Sequence, residues 1–388
     1  MGRREYLRAI YDRYHRSTAA KKGTILDEFC KVCGYNRKYA IRRLGGPRPE
    51  AHPRPRRSRG PSYGRLVIQA LAQIWEAAGY PWSVRLKAML PLWLPWLKKR
   101  TALTPALERQ LRAISPRQID RRLQSRKRVL RRRIYGRTKP GTLLKHHIPI
   151  KTDHWDVTRP GFTEIDLVSH SGECAEGEFA HSFNLTDIHT TWTETRAVLG
   201  KGETGIVAAL EEMRQALPFP LQAIDSDNGS EFLNHHLVRY CRTQQIQFTR
   251  GRPYKKDDNA HIEQKNWTHV RRLIGWDRYD SATAVGLLND LYRHELPQMM
   301  NLFQPSVKLL RKQRVGSRLK RSYDPPRTPL DRLRAGKDFD RVAVNALLRL
   351  RATTDPFELA KTIEKKIDRI AALATRRDGS TRVTSQTA

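Results

Sequence analysis

The sequence predicts a multidomain protein in which helical domains precede an α/β core and a basic extension follows it. Charge is the first observation. The formal net charge is +35, but residues 151–280 carry a net −5 and the other 258 residues a net +40. The second is that strand and helix patterns alternate only within 151–280. A slightly acidic core between strongly basic arms indicates a polyanionic partner, of which nucleic acid is the commonest.

The first 46 residues predict three short helices. The first helix is predicted from apolar residues at helical spacing that begin at Leu7. A second helix ends at Gly34, and Asn36 can cap a third helix that ends at Gly45. Because the third helix is basic, the segment predicts a helix-turn-helix domain. A helical bundle whose charges face water is the alternative. The candidate DNA contacts on the third helix are Arg37, Lys38, Arg42 and Arg43.

A basic linker, residues 47–65, holds five prolines and six arginines and leads to a second helical domain, residues 66–126. Its helices are predicted at Leu66–Trp75 and Ser83–Lys99, and we expect Trp75, Trp82, Trp93 and Trp96 to fill a small core. Ser115 and Pro116 begin a further helix, whose candidate DNA contacts are Arg117 and Arg121. Residues 127–150 predict a basic linker, either an arm that follows phosphates or a solvated connection.

The core, residues 151–280, predicts the element order βββαβαβα. That order is the ribonuclease H-like topology, a five-stranded mixed sheet flanked by helices. The predicted strands are Thr163–Ser169, Phe179–Ile188, Trp192–Leu199, Leu221–Ile224 and Ile246–Thr249, and the helices are Glu203–Leu217, Leu233–Thr243 and His261–Ile274.

Three acidic residues fall where this topology can bring them together. Asp166 interrupts an apolar strand, where a carboxylate is costly unless a metal ion compensates, and Asp227 ends the fourth strand beside a sharp Asn-Gly turn. Glu263 shares a helix face with three apolar residues and is therefore predicted to face inward. Those apolar residues are Trp267, Val270 and Ile274.

Longer motifs surround these acids: EIDLVSH, IDSDNGSEF, FTRGRPYKKDDNAHIEQKN and WTHVRRLIGWDRY. On them the chain resembles the retroviral-integrase-like DDE transposases of bacterial insertion sequences over at least 161–279. The 35 residues between Asp227 and Glu263 match the integrase pattern. The resemblance extends to the amino-terminal helices and to NLFQPSVKLLRKQR and YDPPRTPLDRL beyond the core.

The resemblance implies a DNA transposase whose two-metal site is made by Asp166, Asp227 and Glu263. Two Mg²⁺ ions, for which Mn²⁺ substitutes, would serve cleavage at the element's 3′ end and strand transfer into target DNA. The expected partners are the element's terminal repeats, target DNA and further copies of the chain on DNA. Residues expected to hold DNA near the metals are Lys255, Lys256, Lys265, Asn266 and Arg272. The alternative for each of them is a place on a solvated helix face.

Two other functions stay open, a metal-dependent nuclease without strand transfer and an inactive DNA-binding regulator. Asp225 is a weak alternative ligand, whereas Asp187 and Glu231 are expected to be structural. Cys30 and Cys33 form a CxxC without a suitably spaced histidine pair, so the retroviral zinc module is not expected. Neither a signal peptide nor a membrane span is predicted, and four cysteines fit a reducing cytoplasm. Together with the resemblance, this predicts a bacterial cytoplasmic protein that lies on DNA. The carboxy-terminal predictions are a basic region (281–352), an amphipathic helix (353–375) and a disordered tail (376–388).

Overall fold

A computed structural model of the chain describes residues 2–49, 63–135, 157–226, 235–250, 265–315, 318–336 and 339–375. The chain divides into two compact units, Met1–Ser62 and Tyr63–Ala388. Asp227, Glu231, Lys255, Lys256 and Glu263 lie outside the described residues.

The first unit contains the three predicted helices, α1 (Arg3–Arg16), α2 (Ala19–Cys33) and α3 (Arg37–Leu44). Phe29 and Leu44 are fully buried between them. Gly34 ends α2 in the left-handed conformation, with φ +66°, which glycine adopts without steric cost. Asn36 caps α3, because its side-chain oxygen accepts a hydrogen bond from the Lys38 N–H at 2.9 Å. The helices are thus confirmed, whereas the helix-turn-helix assignment stays a prediction.

The second unit begins with four helices: α4 (Arg65–Ala77), α5 (Ser83–Arg100), α6 (Pro105–Ala113) and α7 (Pro116–Tyr135). The expectation of four buried tryptophans was wrong in part. Trp75 and Trp93 are buried, but Trp82 is 47% exposed, because it precedes the first turn of α5 as its N-cap residue. Trp96 is half-buried, and the Lys99 ammonium lies 4.1 Å from its ring centroid.

The predicted sheet is present, and its five strands are mixed in direction. Its strands are β1 (Phe162–Ser169), β2 (Ala180–Asp187), β3 (Thr193–Leu199), β4 (Ala223–Ser226) and β5 (Gln247–Arg250). Their order is β3-β2-β1-β4-β5. Neighbours among the first three strands are antiparallel, whereas β4 runs parallel to both β1 and β5. One face packs Ile165, Phe183 and Ile224 against α8 (Glu203–Ala216) and α9 (His235–Thr243).

The described part of the helix predicted at His261–Ile274 contains a π-helix, π1 (Asn266–Arg271), followed by the short α10 (Arg272–Ile274). Val270 and Ile274 are buried as predicted, but Trp267 is 46% exposed. A π-helix bonds residue i to i+5, so side chains leave the phase that an α-helix would give them. The predicted inward position of Trp267 was wrong for this reason.

The outer edge of β3 is covered by α11 (Ala282–Arg293), α12 (Glu295–Pro297) and a second π-helix, π2 (Gln298–Phe303). The Asn289 amide accepts from the Ala197 N–H and donates to its carbonyl, both at 2.8 Å. The Asn301 amide likewise accepts from the Thr193 N–H and donates to the Thr193 carbonyl, both at 3.0 Å. Two asparagine side chains therefore take the place of a sixth strand on this edge.

The remaining elements are a hairpin of β6 (Leu309–Val315) and β7 (Arg318–Tyr323) and three helices, α13 (Pro329–Ala335), α14 (Arg341–Thr353) and α15 (Pro356–Ala372). Asp355 caps α15 by accepting from the Phe357 N–H at 2.9 Å. The predicted apolar stripe of α15 packs on the chain's own α4 and α11. Trp93 meets Phe357 with ring centroids 5.0 Å apart, so helices before and after the sheet share one core.

Candidate functional site

The face of the sheet opposite α8 and α9 carries a row of polar side chains. On β1, Glu164 and Asp166 alternate with buried Ile165, and on β2 Asn184 and Thr186 alternate with Leu185. Asp166 lies directly opposite Asn184, which in turn lies opposite Thr195 of β3. Because alternate residues of a strand share a face, these polar side chains lie side by side across three strands.

A chain of hydrogen bonds runs through this row to the Asp166 carboxylate. Thr195 Oγ1 donates to Asn184 Oδ1 at 2.7 Å, and Asn184 Nδ2 donates to Asn266 Oδ1 at 2.5 Å. Asn266 Nδ2 then donates to Asp166 Oδ2 at 2.5 Å. The Leu167 N–H donates to the other carboxylate oxygen at 2.7 Å. Each amide thus uses its oxygen and its nitrogen, so the half-buried carboxylate is held in one orientation.

Described residues close in sequence to Asp227 and Glu263 lie near Asp166. Ser226, the last residue of β4, lies opposite Ile165 in the parallel pairing with β1, and Asp227 is the next residue in the sequence. Glu263 precedes Asn266 by three residues. Elements next in sequence to both acids therefore meet at Asp166.

Sequence reasoning missed Asn184 and Thr195. The signal was present in the strict alternation of β2, where Ser182, Asn184 and Thr186 interleave with apolar residues. Alternation of this kind identifies the polar face. It does not show that an amide from a distant helix completes the row.

Lys265 was predicted to hold DNA, but its side chain is buried. Its ammonium donates to the Thr191 carbonyl at 3.1 Å, and Thr191 lies in the β2–β3 turn with φ +64°, a strained value for a β-branched residue. Burial, with smaller effects from Arg85 and Arg332, lowers the pKa of Lys265 to about 7. This placement favours a role in fixing the turn and does not favour the predicted DNA contact.

Two further acids have structural partners. Asp187 is buried and accepts from the Gly161 N–H at 2.8 Å and from the Thr190 N–H and hydroxyl at 2.6 Å each. Burial nevertheless raises its pKa. Asp225 accepts from the Thr249 hydroxyl at 2.7 Å. The geometry of Asp187 agrees with the structural role expected for it.

The predicted DNA contacts within the described residues are mostly exposed. Those on α3 and α7 all face solvent: Arg37, Lys38, Arg42, Arg43, Arg117 and Arg121. Arg37 also pairs with Asp27. Arg272 is exposed, and its guanidinium donates to the Gly79 carbonyl. The β6–β7 hairpin adds exposed Arg311, Arg314, Lys320 and Arg321, which sequence reasoning assigned only to a broad basic region.

Across the part of the chain that the structure describes, no group of three or more His, Cys, Asp or Glu side chains could hold a metal ion. Cys30 and Cys33 are free thiols, and Cys33 belongs to the core of α1–α3. No helix among the described residues is long and apolar enough to cross a membrane.

The strand order and the mixed pairing define an α/β core of the ribonuclease H-like class. No family model matches the chain. The protein y4rM of Sinorhizobium fredii (strain NBRC 101917 / NGR234), described as uncharacterized, is 40% identical over 335 residues, which is 85% of this chain and 94% of the relative. The chain therefore belongs to the same family as y4rM.

Three solved structures are similar at low TM-scores. The HTLV-2 integrase catalytic core domain in complex with magnesium is 14% identical, covers 38% of this chain and 91% of its own, and has a TM-score of 0.29. The BIV integrase catalytic core domain is 14% identical, covers 36% of this chain and 83% of its own, and has a TM-score of 0.27. A chain of the simian T-cell lymphotropic virus intasome in complex with PP2A regulatory subunit B56 gamma is 15% identical. It covers 33% of this chain and 45% of its own, with a TM-score of 0.29. At such TM-scores the likeness supports no conclusion about this chain.

Proposed function

We propose that this protein is a DNA transposase of an insertion sequence, which cleaves the element's 3′ ends and joins them to target DNA. The observation that carries the proposal is the position of Asp166. Its carboxylate lies on the polar face of β1, beside the β4 strand that Asp227 follows in sequence, and it accepts from Asn266, three residues after Glu263. Described residues close in sequence to Asp227 and Glu263 therefore lie near Asp166, which supports a common site for the three acids.

Asp166, Asp227 and Glu263 would hold the divalent ions. The donor chemistry fits Mg²⁺, because carboxylates supply hard oxygen ligands and the Asp166 carboxylate is half-exposed and oriented by two N–H donors. When bound, such ions activate a nucleophile and stabilise the leaving oxygen of a phosphodiester. The protein's own contribution is to keep the carboxylates aligned. Asn266 does this by donating to Asp166 Oδ2, and residues that surround a metal site commonly orient its ligands in this way.

Separate exposed cations would hold the DNA. We propose that α1–α3 form a helix-turn-helix in which Arg42 and Arg43 of α3 contact the element's end. The cations of α7 and of the β6–β7 hairpin would bind phosphates. A two-stranded ribbon is narrow enough to enter the major groove of DNA, and exposed Arg311 and Lys320 lie on its two strands.

The test is a strand-transfer assay with the full chain, Mg²⁺ and DNA that carries the element's own end. Asp166→Asn, Asp227→Asn and Glu263→Gln are compared with the wild type. Asp225→Asn is the matched control, since Asp225 lies on the same strand end but already accepts from Thr249. We expect joined products from the wild type and the control, and none from the three variants although each still binds the DNA.

The other outcomes decide between the alternatives. Cleavage without joined strands would identify a nuclease. Binding without any chemistry in Mg²⁺ or Mn²⁺ would leave a DNA-binding regulator and overturn the proposal. Loss of joining in Asp225→Asn with full activity in Asp227→Asn would show that the wrong aspartate has been assigned.

A further inference from the structure

A cavity of about 780 Å³ lies in the second unit, apart from the row of polar side chains around Asp166. The turn between α4 and α5, the start of α5, π1 with α10, and α15 contribute to its wall. Its volume is within the roughly 300–1,000 Å³ typical of small-molecule sites. Its wall includes four lysine or arginine side chains and four aromatic rings.

The lysines and arginines that line the cavity are Arg85, Lys265, Arg272 and Lys361, and the first three have no acidic partner among the described residues. Arg85 donates to the Pro305 carbonyl at 2.5 Å and to Gln304 Oε1 at 3.1 Å. Lys265 and Arg272 also donate to backbone carbonyls. Among the described residues none of these three side chains belongs to an ion pair, although the cavity wall includes two glutamates. One of these, Glu76, pairs with Arg126 at 2.7 Å, and the other, Glu364, is exposed.

The guanidinium charges of Arg85 and Arg272 repel each other in this partly buried space, and a bound anion would offset that repulsion. Burial and the charge of Arg272 lower the pKa of Arg85 to about 10, which still leaves its guanidinium charged at neutral pH. His269 adds a buried Nε2 that has no hydrogen-bond partner among the described residues. The cavity wall therefore offers charge and an unused polar atom to a ligand.

Three of the aromatic residues that line the same cavity are partly exposed: Tyr80, Trp82 and Tyr323, at 41%, 47% and 48%. Tyr80 has φ +59°, a conformation that costs about 1–2 kcal/mol for a residue other than glycine. Its ring packs edge-on against buried Trp75, with centroids 4.9 Å apart. The fold thus holds an exposed ring at the cavity in spite of backbone strain.

We propose that this cavity binds a nucleotide, with its phosphate between Arg85 and Arg272 and its base against the exposed rings of Tyr80 and Trp82. Cations that bind a phosphate beside rings that stack on a base are the combination by which proteins hold unpaired nucleotides. The nucleotide is either a free mononucleotide or an unpaired residue of a DNA strand. Only the assignment to DNA rests on the proposed transposase function.

The first experiment is calorimetric titration of the full chain with deoxyadenosine 5′-monophosphate in EDTA and about 0.3 M NaCl, which screens non-specific phosphate binding. We expect one site per chain, and at least tenfold weaker binding of deoxyadenosine and of inorganic phosphate alone. Arg272→Gln and Trp82→Ala, both at exposed side chains, should each weaken the nucleotide about tenfold. Arg349→Gln and Trp276→Ala, exposed residues that do not line the cavity, should bind it as the wild type does.

Absence of a stoichiometric site, or equal affinity in the cavity variants and their controls, would overturn the proposal. Competition then identifies the source of the nucleotide. Displacement by a duplex with a three-nucleotide overhang, but not by the blunt duplex, assigns the site to a DNA strand, and failure of both assigns it to a free nucleotide. Asp166→Asn should bind the mononucleotide with wild-type affinity. The nucleotide-binding proposal can therefore fail or succeed independently of the proposed transposase activity.

Discussion

The orientation of the Asp166 carboxylate depends on two asparagines contributed by β2 and π1. Asp166 itself could be predicted, because a carboxylate inside an apolar strand is conspicuous in the sequence. Its partners could not, since Asn184 and Asn266 are 82 positions apart and hydrogen-bond to each other only after the sheet and π1 have formed. Sequence reasoning placed Asn266 near the active site but expected it to touch DNA.

Replacing Asn266 by alanine should impair the proposed chemistry without impairing DNA binding. Loss of its N–H donor frees Asp166 to rotate, and removal of such a supporting residue typically costs about 10–100-fold in metal affinity or activity. The measurement is strand transfer as a function of Mg²⁺ concentration, where we expect a higher half-saturating concentration. Gln244→Ala, an exposed amide after α9, is the control. An unchanged Mg²⁺ dependence in Asn266→Ala would contradict the positioning role.

His170 predicts a pH dependence of stability. It is fully buried, and its Nε2 lies 2.7 Å from the Ser182 hydroxyl. Burial, followed by the charges of Arg271 and His181, lowers the pKa of His170 to about 3. The unfolded chain takes up a proton near pH 6.5, so the unfolded state binds more protons between pH 6.5 and 3. Stability from this group is present above pH 6.5 and is lost as the pH falls through that window.

The slope for one such group is about 1.4 kcal/mol per pH unit. Urea unfolding of His170→Gln between pH 7 and 4 should therefore show a shallower fall in free energy than the wild type. His236→Gln, which changes an exposed histidine on α9, should leave the wild-type slope. Equal slopes in all three proteins would show that His170 accepts a proton in the folded state.

At the scale of elements, strands were easier to predict than the helix after them. Strand-like sequence patterns predicted all five strands of the sheet, and the element order predicted that the sheet is mixed. The π-helices could not be predicted, because their extra residue per turn leaves no mark in an apolar pattern that reads as α-helical. Trp267 shows the consequence, since it was placed inward and lies exposed.

The asparagine pairs at the edge of β3 should contribute measurably to stability. Asn301→Ala leaves the Thr193 N–H and carbonyl without these partners, and an unsatisfied buried group costs about 1–3 kcal/mol. We expect losses of about that size for Asn301→Ala and Asn289→Ala in the free energy of unfolding by urea. Gln244→Ala should change it by less than about 0.5 kcal/mol. A loss no larger than in that control would mean that water replaces the amides at no cost.

At the scale of the whole molecule, charge partition was the most informative feature of the composition. It indicated a polyanionic partner such as nucleic acid before any motif was considered, and the exposed cations of α3, α7 and the hairpin agree with that expectation. The helices before the sheet, α4–α7, share one hydrophobic core with helices that follow the sheet. The sequence did not predict this shared core. Contacts such as that of Trp93 with Phe357 join residues more than 250 positions apart, which local patterns cannot connect.

If α3 and the hairpin both bind phosphates, affinity for DNA should depend on salt in proportion to the cations that each supplies. Replacing Arg42 and Arg43 by glutamine, or Arg311 and Lys320 by glutamine, should reduce the slope of log K against log salt by about 0.9 for each phosphate that the variant no longer neutralises. Filter binding or fluorescence anisotropy over roughly 50–300 mM NaCl measures it. Arg349→Gln is the control. If both double variants showed the same salt slope as this control, neither α3 nor the hairpin would contact phosphates of the DNA.

The asparagine-covered edge of β3 also restricts how copies of this chain can associate. An open edge strand is a template on which another chain can add a strand, and this is a common route to domain-swapped dimers and to amyloid. Here the N–H and carbonyl groups of Thr193 and Ala197 are already engaged by side chains of the same molecule. A further strand therefore cannot pair with these groups of β3 unless the asparagines are first displaced, so the chain should resist aggregation at this edge.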